Sequence, residues 1–225
     1  MDGTREVADA RKSVTRRRVL AAASAVAAAS IAGCGLLDDG IERSAEPAGI
    51  DSDTLDQTRF EHDGTAEMTM AQTVEVAGES RDLRLTNQLA TYRKTVPATD
   101  GGVASIQLFT TPSVSVRGQE ANPFAEFDTQ RFLEEMASRA GEDAVDDISQ
   151  VGTRTVRVLG ADRTFTRHEA TTERQGQEIV VRIPVARLTH EADILGIYAT
   201  YPKLLEQTVG VYDAAAGIIH PVDDE

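Results

Sequence analysis

Residues 66–76 read AEMTMAQTVEV, and across the link AGES (77–80) they are answered by RDLRLTNQL (81–89). In the first segment Ala66, Met68, Met70, Gln72, Val74 and Val76 fall at every second position, with Glu67, Thr69, Thr73 and Glu75 between them. In the second, Leu83, Leu85 and Leu89 alternate with Arg84, Thr86 and Gln88. Successive side chains of a strand point to opposite faces, so period 2 on both sides of a Gly-bearing link predicts a β-hairpin with one face buried.

The same pattern continues outward. Residues 103–110, after the Asp100-Gly101-Gly102 turn, predict a third strand and Val114-Ser115-Val116 a short fourth, before Asn122-Pro123 breaks the chain. Asp128 can cap a helix in which Phe132, Leu133, Met136, Ala137 and Ala140 recur at helical spacing, with Gly141 as terminator. Residues 153–159 and 163–171 flank Gly160-Ala161-Asp162, a second hairpin signal, and Ile179, Val181, Ile183 and Val185 carry the alternation toward His190. Residues 194–201 are almost continuously apolar, as a central strand buried on both faces would be. Pro202 then opens a stripe of Leu204, Leu205, Thr208, Val209, Tyr212, Ala215 and Ile219 that predicts a second helix. Strands joined by short turns are antiparallel, so the expected class is α+β, an antiparallel sheet with two main helices packed on one face.

Ahead of this region lies a different kind of sequence. Residues 1–18 are polar and basic, and residues 19–37 carry no charge, the layout of an export signal. Arg16 and Arg17, followed by Val19-Leu20, fit a twin-arginine signal. The apolar run ends in Ile31-Ala32-Gly33-Cys34, which resembles a lipobox: small residues suit a signal peptidase and the thiol of Cys34 accepts a lipid. Cys34 is the only Cys in the chain and forms no internal disulfide. A retained membrane span is the competing reading, although a run made mostly of Ala and Ser partitions weakly into hydrocarbon. The expected organisation is a Tat signal peptide over 1–33, the anchor Cys and tether over 34–52, and one α+β domain over 53–225.

Charge sharpens once that signal is set aside. The whole chain has a formal charge of −14, but residues 34–225 keep 17 basic and 34 acidic residues, a net of −17. Only Lys94 and Lys203 are Lys there. Such acidity excludes nucleic acid as a partner, because phosphate binding needs positive charge. An acidic surface poor in Lys suits high salt, where mobile ions screen self-repulsion. The absence of Trp argues against stacking-based binding of sugars or single strands.

Signatures of chemistry are sparse. The four His are His62, His168, His190 and His220, with no pair at helical spacing. The densest ligand cluster is His190, Glu191 and Asp193 between two predicted strands, a weak metal candidate against the commoner reading of a solvated turn. There is no Gly-x-Ser-x-Gly elbow, no Ser-x-x-Lys and no phosphate-binding Gly loop, so no catalytic residue and no cofactor is assigned. Asn87 falls on the apolar face of its strand, where a buried amide must find partners and is expected to fix a loop.

The export signal, Cys34, Ala45-Glu46-Pro47, Asn87-x-x-Ala90-x-Tyr92, Thr111-Pro112-Ser113-Val114 with Gly118-Gln119 and Asn122-Pro123, and residues 151–160 together resemble a haloarchaeal, Tat-exported lipoprotein family classed as a domain of unknown function. The resemblance implies an archaeal surface location, extreme salt and a diether lipid on Cys34, and it carries over no catalytic residue. The order of strands and helices is also reminiscent of PsbP-like domains, in architecture only. The expected protein is therefore a membrane-anchored extracytoplasmic lipoprotein, held on the outer face through Cys34, whose domain binds a surface protein or small ligand without catalysis. The alternative is an extracytoplasmic hydrolase that uses carboxylates or a cation.

Overall fold

The alternation seen in the sequence becomes a single large sheet. The computed structural model describes residues 40–76, 78–96, 102–138, 146–174 and 177–222. In chain order the elements are β1 (Ile41–Ser44), β2 (Gly49–Ile50), α1 (Ser52–Thr58), β3 (Glu61–Val76), β4 (Glu79–Val96), β5 (Gly102–Pro112), β6 (Ser115–Val116), β7 (Gln119–Glu120), α2 (Thr129–Ser138), β8 (Asp146–Val158), β9 (Ala161–Arg174), β10 (Gln177–His190), β11 (Asp193–Pro202), α3 (Val211–Ala216) and β12 (Ile218–Ile219). Strands β3, β4, β5, β11, β10, β9 and β8 lie side by side in that order, each antiparallel to its neighbours. The short β1 runs parallel to β4, pairing Ile41 with Leu83 through Ser44 with Thr86, which makes the eight-stranded sheet mixed.

Two meanders thus meet at the β5–β11 seam. The hairpin read from residues 66–89 is the β3–β4 pair, closing at Val76 opposite Glu79. The second hairpin is β8–β9, turned by Leu159 (φ 49°) and Gly160 (φ 74°), the paired positive angles of a two-residue turn that matches strand twist. The continuously apolar residues 194–201 form β11, which lies between β5 and β10 and is buried along nearly its whole length.

Alternation sorts the core onto two faces. Face A presents Tyr92, Ile106, Leu108, Phe165, Leu188, Leu195, Ile197 and Tyr201, covered by Ile50, Phe60, Val211 and Tyr212. Face B presents Phe109, Val181, Ile183, Val185 and Tyr198, covered by Phe124, Phe127 and the α2 residues Phe132, Leu133 and Met136. At roughly 1.5–3 kcal/mol for each fully buried large apolar side chain, those three α2 residues hold the helix to the sheet. The Asp128 cap forms as expected, its carboxylate accepting the Arg131 N–H at 2.8 Å.

The expected fold class requires correction. The chain is mostly β, with short helices packed against both faces, not an α+β sheet with two main helices on one face. The stripe over 202–219 fails as one helix because Gly210 takes a left-handed conformation (φ 75°). That region divides into a 3-10 turn at Lys203–Leu205, the six-residue α3 and the strand β12. Part of the lead-in also proves ordered, since Ala45, Ala48 and Ile50 are buried and β12 pairs with β2. Arg16, Arg17, Cys34, Gly101 and Gly141 lie outside the described residues.

Candidate functional site

Of the sequence-predicted cluster, the β10–β11 hairpin brings His190 and Asp193 together as a directly opposed pair. Glu191 sits in the two-residue turn between them with φ 52°, exposed. The third member of the constellation comes from the other end of the domain. His220, just after β12, reaches Asp193 Oδ2 with Nε2 at 3.1 Å and His190 Nδ1 with Nδ1 at 3.1 Å. The backbone N–H of Glu46 donates to the same Asp193 oxygen at 2.9 Å, and the Glu46 carbonyl accepts from Thr110 Oγ1 at 2.9 Å. The His220 and Asp193 side chains are 1% and 5% exposed, while His190 is half-buried.

The chemistry of this chain of groups follows from counting protons. A carboxylate only accepts, so His220 Nε2–H donates to Asp193, and one proton lies between the two Nδ1 atoms. Both ring nitrogens of His220 are thereby engaged in hydrogen bonds. No group of three His, Cys, Asp or Glu among the described residues is arranged to hold a metal. The cluster joins the C-terminal strand, the 45–50 lead-in and the β10–β11 turn.

A second constellation spreads over face A where β8, β9 and β10 run together. Arg182 on β10 contacts Glu169 at 2.6 Å and Glu206 at 3.4 Å; Lys203 reaches Glu169 at 2.9 Å, and Arg167 pairs with Glu206. The Lys203 ammonium bonded to Glu169 holds that carboxyl below its ordinary range. Beside them Tyr201 is fully buried and Tyr212 is 7% exposed, and burial pushes both phenols up, so they stay protonated. The guanidinium of Arg154 lies over the Tyr212 ring, 4.1 Å from its centroid. Sequence reading missed this group because its members are spread over residues 154–212; shared parity across paired strands is the signal that gathers them.

On face B, Phe109, Thr111, Phe124, Phe132, Arg187, Ile194 and Gly196 line a small cleft of about 10 Å³. Typical sites for drug-sized ligands are roughly 300–1,000 Å³, so this space does not enclose a metabolite. Asn87 is buried as expected on this face with its Oδ1 unpartnered, and the loop that an amide is seen to fix belongs to another Asn. Asn122 does that work: its amide donates to Thr111 Oγ1 at 2.8 Å and to the Pro112 carbonyl at 2.5 Å, and its Oδ1 accepts the Phe124 N–H at 2.9 Å.

These arrangements sit in a segment with a recognisable family pattern, since residues 47–223 match the model of DUF6517, a domain of unknown function. The chain belongs to the DUF6517 family. No curated protein matches it. The DUF6517 match covers every strand from β2 to β12, so both constellations lie in the domain. Among the described residues no helix is long and apolar enough to cross a membrane.

Proposed function

We propose that this DUF6517 protein is a haloarchaeal lipoprotein exported through its Arg16-Arg17 signal, anchored to the outer face of the cell membrane by lipid on Cys34, and built to present a non-enzymatic binding domain. The observation that carries the reading is the position of the chain's only thiol, directly behind Ile31-Ala32-Gly33 at the close of an uncharged run. The surplus of acidic residues supports a high-salt setting. In the His190–His220–Asp193 chain the central imidazole is hydrogen-bonded at both nitrogens, an arrangement that fastens the domain presenting the binding surface. The likeness to PsbP-like domains is one of element order and lends no function.

Cys34→Ser is the decisive substitution for the anchor. The variant should lose lipid, as read by mass spectrometry, and move from the membrane fraction to the medium. An unchanged membrane fraction would mean a retained span and would overturn the anchoring. Turnover by the purified protein across a hydrolase panel at high salt would overturn the non-enzymatic part.

A further inference from the structure

Buried polar atoms in folded proteins find partners, and one without a partner demands an explanation. Such side-chain atoms occur among the described residues, and two of them, Arg163 Nε and Arg167 Nε, lie on face A in the half of the sheet formed by β8 to β11, beside the Tyr201 hydroxyl, which donates to Tyr212 Oη. Arg163 and Arg167 flank Phe165 along β9, and Arg154 stands opposite Phe165 on β8, so three guanidinium stems rise from one face around one ring. Tyr212 packs edge-on against that ring at 5.9 Å and lies beneath Arg154.

The charges here do not cancel. Arg154, Arg163, Arg167, Arg182 and Lys203 share this region with Glu169 and Glu206, and Glu173 and Glu178 follow farther along the same face, in a chain whose net charge is −14. Both carboxylates are already engaged by Arg167, Arg182 and Lys203. Among the described residues no carboxylate pairs with Arg154 or Arg163. Arg154 is exposed and Arg163 and Arg167 are half-buried, which leaves the group open to solvent. Guanidinium and protonated phenol groups all have protons to give, and what such a group lacks is an acceptor with several oxygens.

We propose that Arg154, Arg163 and Arg167, with the Tyr212 hydroxyl beside them, form a seat for a phosphate-class oxyanion. Donors approach from Tyr212 and from two strands, an arrangement that suits a tetrahedral anion better than the two coplanar oxygens of a carboxylate. The anion is either free phosphate or a phosphate headgroup of the adjoining lipid surface. The seat itself does not depend on the anchoring reading, because a free anion needs no membrane.

The test is calorimetric titration of the full-length protein with inorganic phosphate at constant ionic strength. One saturable site is expected, weakened about tenfold or more in Arg154→Gln and unaltered in Arg84→Gln, a remote exposed arginine paired with Glu42. Far-UV circular dichroism of Arg154→Gln reports its folding, and Tyr212→Phe, which keeps the ring and removes one donor, should weaken binding independently. Absence of saturable binding, or equal loss in Arg84→Gln, would overturn the seat. Vesicles of phosphatidic acid compared with phosphatidylcholine then separate the sources: capture by the former that inorganic phosphate displaces assigns the headgroup, and binding of inorganic phosphate alone assigns the free anion.

Discussion

Gly196 is the point where the central strand and α2 touch most closely, and Gly196→Ala should expose how tightly face B is fitted. A Cβ at this position would stand 2.1 Å from Cζ of Phe132, 2.5 Å from Cε2 and 2.8 Å from Cε1. Carbon atoms in contact prefer about 3.5–4.0 Å, so the ring must withdraw by more than about 1 Å. Phe132 is 3% exposed and packs with Phe109 at a centroid distance of 6.2 Å, which leaves it little room to swing. Overpacking of this kind costs about 1–3 kcal/mol. Complete release of α2 is the upper bound, since it would forfeit the burial of Phe132, Leu133 and Met136 at roughly 1.5–3 kcal/mol each. Partial retreat is therefore expected, and shortening the ring should relieve it. Urea unfolding of Gly196→Ala, Phe132→Leu and the double variant, in one high-salt buffer, forms a thermodynamic cycle, and a coupling of at least about 1 kcal/mol is expected. If Gly196→Ala is as stable as the parent within about 0.5 kcal/mol, or the two substitutions are additive, the close approach is wrong.

Burial holds the His168 imidazole below its usual pKa, against a smaller opposing contribution from the Ile183 carbonyl. The unfolded chain therefore takes the proton first, so this stabilisation is whole above about pH 6.5 and declines below it by at most about 1.4 kcal/mol per pH unit; melting curves should show the decline in the parent and a shallower one in His168→Gln. Replacing His220 with Ala strands the Asp193 carboxylate on a single backbone donor and should cost about 2–4 kcal/mol, whereas His190→Ala, at the half-buried end, should cost less. Amide exchange should quicken at Ile218 and Ile50, the paired residues of β12 and β2, and unchanged protection there in His220→Ala would contradict the joining role. Lowering salt to tens of millimolar should unfold the acidic domain by far-UV circular dichroism, and retained structure would refute the high-salt reading.

What the sequence made legible was whatever repeats locally. Alternation located β3, β4, β9 and β10, unbroken apolarity located β11, and a cap with a helical stripe located α2, because each pattern reflects one element's burial. The stripe beginning at Pro202 misled for the same reason: spacing registers the buried face of Tyr212 and Ala215 but not the left-handed backbone at Gly210. β1 spans four residues and gains its place from the edge that β4 offers, so no period marked it. Gly196 carried a signal that went unread, since a glycine inside an apolar strand marks a close approach. Of the three residues read as a cluster at 190–193, the hairpin brings two together. His190 and Asp193 are in it, Glu191 is not, and the missing His220 is separated by 27 residues from Asp193 and 30 from His190, a distance no local spacing rule spans.

The two constellations differ in a way that bears on function. Around Asp193 each donor meets an acceptor: the His220 and Glu46 N–H groups end on the carboxylate, and the two imidazoles share one proton. A satisfied buried network of this kind rigidifies a fold and gains little from a ligand. On face A the count is unequal, with the Nε atoms of Arg163 and Arg167 unpartnered and, among the described residues, two arginines without a carboxylate. In a chain with 37 acidic residues, internal carboxylates to neutralise them are abundant in number yet placed elsewhere. A surplus of protons to donate, facing solvent and framed by rigid strands, has the electrostatic character of a binding surface, and the Asp193 network has that of a fastener.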